Sequence, residues 1–258
     1  MSGSEPEYSW DPWGTSGRTH DNCYDYAFGS FSANRTSKSV PGDRSKLGSN
    51  GMTFRTCAGI VKLVLSDNPG AVYHMRNPSA KCRPGYYKVM CFVAPSNDFG
   101  NSTGDFHWYR QNQSVRYRIR PGDTVRGLSK FFRVTPTVIK TAMAKKMKPT
   151  SATNGMISNS KGNFRVLNKN NEISGSKVNG LIRFRGLIPG SIIRIPVNLW
   201  SHKQGWATGP LLVDAKGRTI VDPRKADRSY KPGFHYTKFC SAFGVKRGIA
   251  QTGNSNNR

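Results

Sequence analysis

Residues 117–125 read Tyr-Arg-Ile-Arg-Pro-Gly-Asp-Thr-Val, and residues 187–196 read Leu-Ile-Pro-Gly-Ser-Ile-Ile-Arg-Ile-Pro. The reading of these two stretches decides how the chain is divided. In the first, Gly122 permits a tight turn, and Asp123 or Thr124 can cap a following helix. Val125, Leu128, Phe131 and Phe132 then recur at helical spacing. A second short helix fits Thr135–Met143, with Pro136 at its first position, where a missing N–H does no harm.

Outside that region the pattern changes. Asp105–Gln111 (DFHWYRQ) alternates, which places His107, Tyr109 and Gln111 on one face of a strand and Phe106, Trp108 and Arg110 on the other. Tyr86–Ala94, rich in aromatic and β-branched residues, predicts another strand. Asn198–His202 resumes a similar pattern. Residues 53–66 carry Phe54, Ala58, Val61, Leu63 and Val64 on one side and predict a helix. A shorter helix, capped by Thr19 or Asp21, is expected through Cys23–Phe28. Val40-Pro41-Gly42-Asp43 reads as a turn. Residues 1–17 form an arm that Trp10 and Trp13 can dock, and 251–258 read as a frayed tail.

The formal charge is +26 and the pI is near 10.3. Five carboxylates precede Phe28, whereas Glu172 alone lies between Asp123 and Asp214. That basic stretch includes Arg126, Lys130, Arg133, Lys140, Lys145, Lys146, Lys148, Arg183 and Arg185. A field of this sign favours polyanions: nucleic acid, an anionic membrane surface or an acidic polymer. Residues 144–180, rich in Lys, Asn, Ser and Gly, read as a long basic loop or small ribbon. None of the five cysteines lies in a CxxC pair, so neither a zinc site nor another cofactor is expected. Their odd number leaves at least one free in a monomer; Cys82–Cys91 is one possible bridge. No apolar run approaches the ~20 residues of a membrane span. The first residues lack a signal peptide's basic-then-apolar layout.

The segment opening at Tyr117–Thr124 and closing at Leu187–Pro196 resembles LysM domains, in which a strand turns through Gly-Asp-Thr into the first of two helices and a second strand closes the unit. The resemblance implies a nested βααβ module over 116–196 that takes N-acetylglucosamine-containing glycans beside Gly122, Asp123, Thr124, Ile188 and Pro189. Two features depart from the family. The asparagine usual after the second helix is absent, Ala142 to Lys145 standing there, and about 144–180 is an insertion.

Asn22-Cys23-Tyr24 at a helix start, followed by the Pro41-Gly42-Asp43 turn and by His107 on a strand, resembles papain-like cysteine hydrolases, including the NlpC/P60 families. With the LysM-like segment removed, Phe106–Gln111 and Trp200–Trp206 read as one hairpin whose loop has been replaced. The resemblance implies an α+β fold: a papain-like antiparallel sheet with an N-terminal helix, over 18–115 and 197–250. It implies Cys23 as nucleophile and His107 as base and then acid. His202 would orient His107, with Ser201 behind it, and the Cys23 backbone N–H would hold the oxyanion. The skeleton is also similar to papain-like proteins of large DNA viruses.

Three functions follow as expectations. One is a basic, virion-associated protein of minor-capsid type, binding capsid or other assembly proteins and an acidic partner. Another is an active cysteine peptidase or amidase brought to glycan by the LysM-like module. The third is a nucleic-acid-binding basic protein.

Overall fold

The structure, a computed structural model, describes residues 1–47, 56–98, 104–145 and 187–253, together with the backbone of four short strands between 156 and 183. The chain forms two compact units, one of Met1–Ser114 with Asn198–Arg258 and one of Val115–Val197. It combines helices with an antiparallel sheet, an α+β architecture. The elements begin with β1 (Glu7–Tyr8), α1 (Cys23–Phe28), α2 (Cys57–Asp67), β2 (Val72–Met75), β3 (Tyr86–Ala94), β4 (Ser96–Asn97) and β5 (Asp105–Arg118). Then come α3 (Val125–Phe132), α4 (Pro136–Lys145), β6 (Met156–Ser158), β7 (Phe164–Val166), β8 (Ser176–Val178) and β9 (Leu181–Arg183). The chain closes with β10 (Ile192–Lys203), β11 (Pro210–Leu211), a 3-10 turn at Pro223–Lys225, β12 (Phe234–His235) and β13 (Lys238–Lys246).

The main sheet runs β11-β10-β5-β3-β13-β2, and β1 also pairs with β5. Side chains alternate across it, so β3 supplies two cores. Val89, Cys91 and Val93 join Phe106 and Trp108 of β5 against α1 and α2. Met90 and Phe92 face the other way, with Tyr109, Trp200, Ile220 and Tyr236. Tyr24, Phe28 and Trp108 form an aromatic knot on the helical side, with ring centroids 4.6–5.3 Å apart. Each such buried ring stabilises the unit by about 2 kcal/mol.

The ends of the elements depart in places from what the sequence predicts. Asn22 caps α1, not Thr19 or Asp21: its side chain accepts from the Tyr24 and Asp25 amides, and the Asp25 carboxylate returns a bond to the Asn22 N–H. Asp21 is turned away, towards Ser32 and Arg35. Thr56 caps α2, which ends at Asp67; residues 53–55 lie outside the described ones. The bridge is Cys57–Cys240, while Cys82 and Cys91 are free. Cys91 and Cys82 belong to the cores on opposite sides of the sheet, which prevents their joining. The β3–β13 register slips between Phe239 and Ser241, leaving Cys240 as the extra residue, and this residue reaches Cys57.

Of the two tryptophans expected to dock the arm, Trp13 is buried edge-on to Tyr26 and Phe31, whereas Trp10 is 46% exposed. The first residues of the tail are also held. Thr252 is buried, bonded to Asp25 through its hydroxyl and to Arg35 through its carbonyl.

In the second unit, Thr124 caps α3 by accepting from the Gly127 amide. Asp123 instead closes the preceding turn, its carboxylate accepting from the Tyr117 hydroxyl and the Arg120 amide. Leu128, Phe132, Ile139, Ile193 and Ile195 are buried, and Phe132 stacks edge-on to Tyr117. β6 pairs with β7 and β8 with β9, each antiparallel.

Candidate functional site

Cys23 is the first residue of α1, held there by the Asn22 cap. It is 5% exposed and belongs to the core that contains Phe106 and Trp108. Its thiol lies 3.8 Å from the Phe106 carbonyl, to which it donates. Burial pushes the thiol's pKa up strongly, and the carboxylates of Asp105 and Asp25 push the same way. A helix N-terminus ordinarily favours a thiolate. Here Asn22 occupies the Tyr24 and Asp25 amides, and the carboxylates of Asp105 and Asp25 outweigh the opposing ammonium of Lys203.

His107 follows Phe106 and so projects from the other side of β5. It stands among Tyr109, Tyr230 and Tyr236, at centroid distances of 5.1, 5.8 and 4.8 Å. Its Nε2 is 2.8 Å from Nδ1 of His202, and Nε2 of His202 is 2.9 Å from the Val213 carbonyl. A carbonyl only accepts, so Nε2 of His202 carries a proton. The His202 pKa is pushed down to about 4 by burial, so its ring is neutral and Nδ1 is an acceptor. The hydrogen-bond network therefore assigns the shared proton to Nε2 of His107. Burial, His202 and Arg228 hold His107 well below the usual histidine range. Nδ1 of His107 is then a lone pair, without a hydrogen bond among the described residues.

The structure thus joins His107 to His202, and no hydrogen bond joins Cys23 to either among the described residues. Ser201 also points away from the pair. It donates to Asn112 at 2.6 Å and lies 2.7 Å from the Tyr26 hydroxyl. For the Cys-His chemistry to run, a histidine nitrogen must come within about 3 Å of the thiol.

Four residues to which the sequence assigns no site role complete this environment. Tyr236 donates to Asp105 at 2.8 Å, and burial raises the pKa of both groups. Tyr230 lies 3.4 Å from Nε2 of His202. Lys203 is fully buried, its ammonium donating to the carbonyls of Arg18, Asp21 and Gly205 at 2.5–2.9 Å. Burial pushes its pKa down to about 8. Asp105 stands two residues before His107 on the same face, a signal that alternation carries. Tyr230 and Tyr236 come from a distant segment and leave no local signal, and Lys203, although it directly follows His202, is buried only through the carbonyls that distant residues such as Arg18 and Asp21 bring to it.

Of the residues implied for glycan, Gly122 has φ +86°, and Asp123 is spent on the turn. Thr124 and Pro189 are exposed and Ile188 is buried. The two turns are brought together by backbone bonds: Ile119 donates to Ser191 and Gly190 donates to Ile119, both at 2.8 Å. Of the residues implied for polyanions, Lys140 is exposed on α4. Lys145 ends α4 and Arg183 lies in β9, where only the backbone is described. Lys146, Lys148 and Arg185 lie outside the described residues. No group of three or more His, Cys, Asp or Glu suited to a metal occurs among the described residues. No described helix is long and apolar enough to cross a membrane.

Comparison with family models, with curated proteins and with solved structures finds no match to this chain.

Proposed function

We propose that the protein is a basic interaction protein that docks on an acidic partner within an assembly, on a papain-like scaffold with a nested LysM-like module. By resemblance that assembly is a virion and the protein a minor-capsid type of component. One observation carries the preference for interaction over turnover. The thiol of Cys23 is buried, bonded to a backbone carbonyl and held protonated, while the base His107 shares its proton with His202. The net charge of +26 supports an acidic partner.

The test is alkylation by iodoacetamide at neutral pH, with the modified cysteine located by mass spectrometry. Cys23 should react at least ~100-fold more slowly in the native than in the denatured protein, because reaction requires the thiolate. Fast, selective labelling of native Cys23 would overturn the interaction reading.

A second reading, a cysteine peptidase or amidase, is favoured by the Nδ1 lone pair, unbonded among the described residues, that the His202 bond orients on His107. It requires hydrolysis of an amide in an N-acetylglucosamine-containing peptidoglycan that Cys23→Ala abolishes. Hydrolysis that survives Cys23→Ala sinks it.

A further inference from the structure

A cavity of about 480 Å³ opens on the first unit, and neither Cys23 nor the histidine pair lines it. Its walls are the loop after α1, residues 29–35, the segment 248–252 that follows β13, and Arg44. The volume is that of a small-molecule site. Two of the walls are tied together by bonds of their own. Arg35, a buried side chain, donates to the carbonyls of Ser30 and Thr252 at 3.1 and 3.3 Å. The Thr252 amide donates to the Ser30 hydroxyl at 3.0 Å. The loops are thus fixed before any ligand arrives.

The lining holds two arginines and no carboxylate. Arg35 is consumed, by Asp21 at 3.4 Å and Asp25 at 3.5 Å. Arg44 is not. It donates from Nη1 to the side-chain oxygen of Gln251 at 3.0 Å, its buried Nε has no acceptor, and it meets no carboxylate among the described residues. Three further lining groups keep donors unused. The Ser30 and Ser32 hydroxyls accept from the Thr252 and Asn34 amides and donate to no described residue. The side-chain amide of Asn34 is exposed and bonds to no described residue. Unused donors around one unmatched guanidinium select an anion over a cation or a neutral ligand.

The surrounding charges narrow the class of anion. Asp21 and Asp25 offset the charge of Arg35, and Asp43, next to Arg44 in the chain, is turned onto the Val40 amide. The positive charge left for a ligand is that of one guanidinium. A carboxylate carries one negative charge and matches the guanidinium fork; a phosphate monoester carries about two. Phe31 lines the same cavity and is 39% exposed, its ring packing edge-on to Trp13, so the cavity also has an apolar wall. We propose that this cavity binds a small organic acid, its carboxylate at Arg44 and its apolar body against Phe31. The site goes beyond the docking of a partner and stands independently of it.

Titration of the isotope-labelled full chain with benzoate, followed by the shifts of its backbone amides, tests it. The shifts should saturate and concentrate in residues 29–35 and 250–252 and at Arg44. Benzamide keeps the shape of benzoate without its charge, and acetate keeps the charge without the ring. Each should bind at least ~10-fold more weakly than benzoate, through loss of the charge-assisted bond or of the buried ring. Phenyl phosphate should bind more weakly than benzoate. Arg44→Gln should weaken benzoate binding at least ~10-fold. Arg76→Gln, which removes equal charge from an exposed position outside the cavity, should change it less than ~3-fold.

Equal losses in the two variants, with shifts spread over the basic surface, would assign binding to net charge and overturn the site. So would benzoate that binds no better than benzamide or acetate. Tighter binding of phenyl phosphate would overturn the choice of a carboxylate. Absence of saturable shifts in the cavity walls with benzoate would remove the site altogether. The ligand comparisons use the wild-type chain, so they decide the proposal even where Arg44→Gln impairs folding. None of these results bears on whether the protein docks on an acidic partner.

Discussion

In the first unit, Arg35 is 4% exposed and meets Asp21 at 3.4 Å, Asp25 at 3.5 Å and the carbonyls of Ser30 and Thr252. In the second unit, Arg126 and Arg133 are exposed and meet no carboxylate among the described residues. The same side chain thus does opposite work in the two places. Buried, its charge is matched and ties α1, the following loop and the segment at Thr252 together. Exposed, its charge is left for something outside the chain. The net charge is therefore a poor guide to function until the internally consumed cations are set aside.

The largest expected break in this contrast is Arg35→Ala. It leaves Asp21 and Asp25 buried together, and the Asp21 pKa is already pushed up to about 7, first by burial and then by Asp25. Urea unfolding should show a loss of about 3–5 kcal/mol; a loss below about 1 kcal/mol would show that the buried network is not structural.

Next in size is the histidine pair. His202 titrates at about 4 in the folded protein and near 6.5 when unfolded. Below pH 6.5 the unfolded chain takes up a proton that the folded chain refuses. The contribution is thus fully present above pH 6.5 and lost as pH falls towards 4, by about 3 kcal/mol. Asp21 runs the other way, its contribution lost as pH rises through about 7. The difference between wild type and His202→Asn, followed by urea unfolding from pH 7 to 4, isolates the histidine. A pH-independent difference would mean that the ring is accessible to protons in the fold.

The smallest effect sharpens the contrast from the other side. The Arg126→Gln/Lys130→Gln/Arg133→Gln chain should unfold within about 0.5 kcal/mol per site of wild type, because exposed and unpaired charges contribute little to stability. A loss of several kcal/mol would show that these cations serve the fold.

Strand alternation foretold the two faces of β5, and helical spacing foretold α3, because each depends on neighbours a few residues away. The turn chemistry of Gly122 was also legible, although which of Asp123 and Thr124 capped α3 was not. That choice was made by the Tyr117 hydroxyl, which drew Asp123 into the turn. At α1 a similar competition left the cap to Asn22, since Arg35 and Ser32 engaged Asp21. The tail's Thr252 read as frayed because its partners, Asp25 and Arg35, lie more than 200 residues away.

The candidate site shows the same division. Candidate residue types and their order along the chain were readable; the distances that decide their chemistry were not. By itself the sequence determined the charge asymmetry, the periodicities of the strands and helices and the turn at Gly122, all properties of composition or near neighbours. Only the tertiary structure decided that Cys57 meets Cys240, that His107 bonds His202 while Cys23 donates to a backbone carbonyl, and which cations are consumed. Those outcomes depend on desolvation and on contacts between distant segments, and neither exists before the chain has folded.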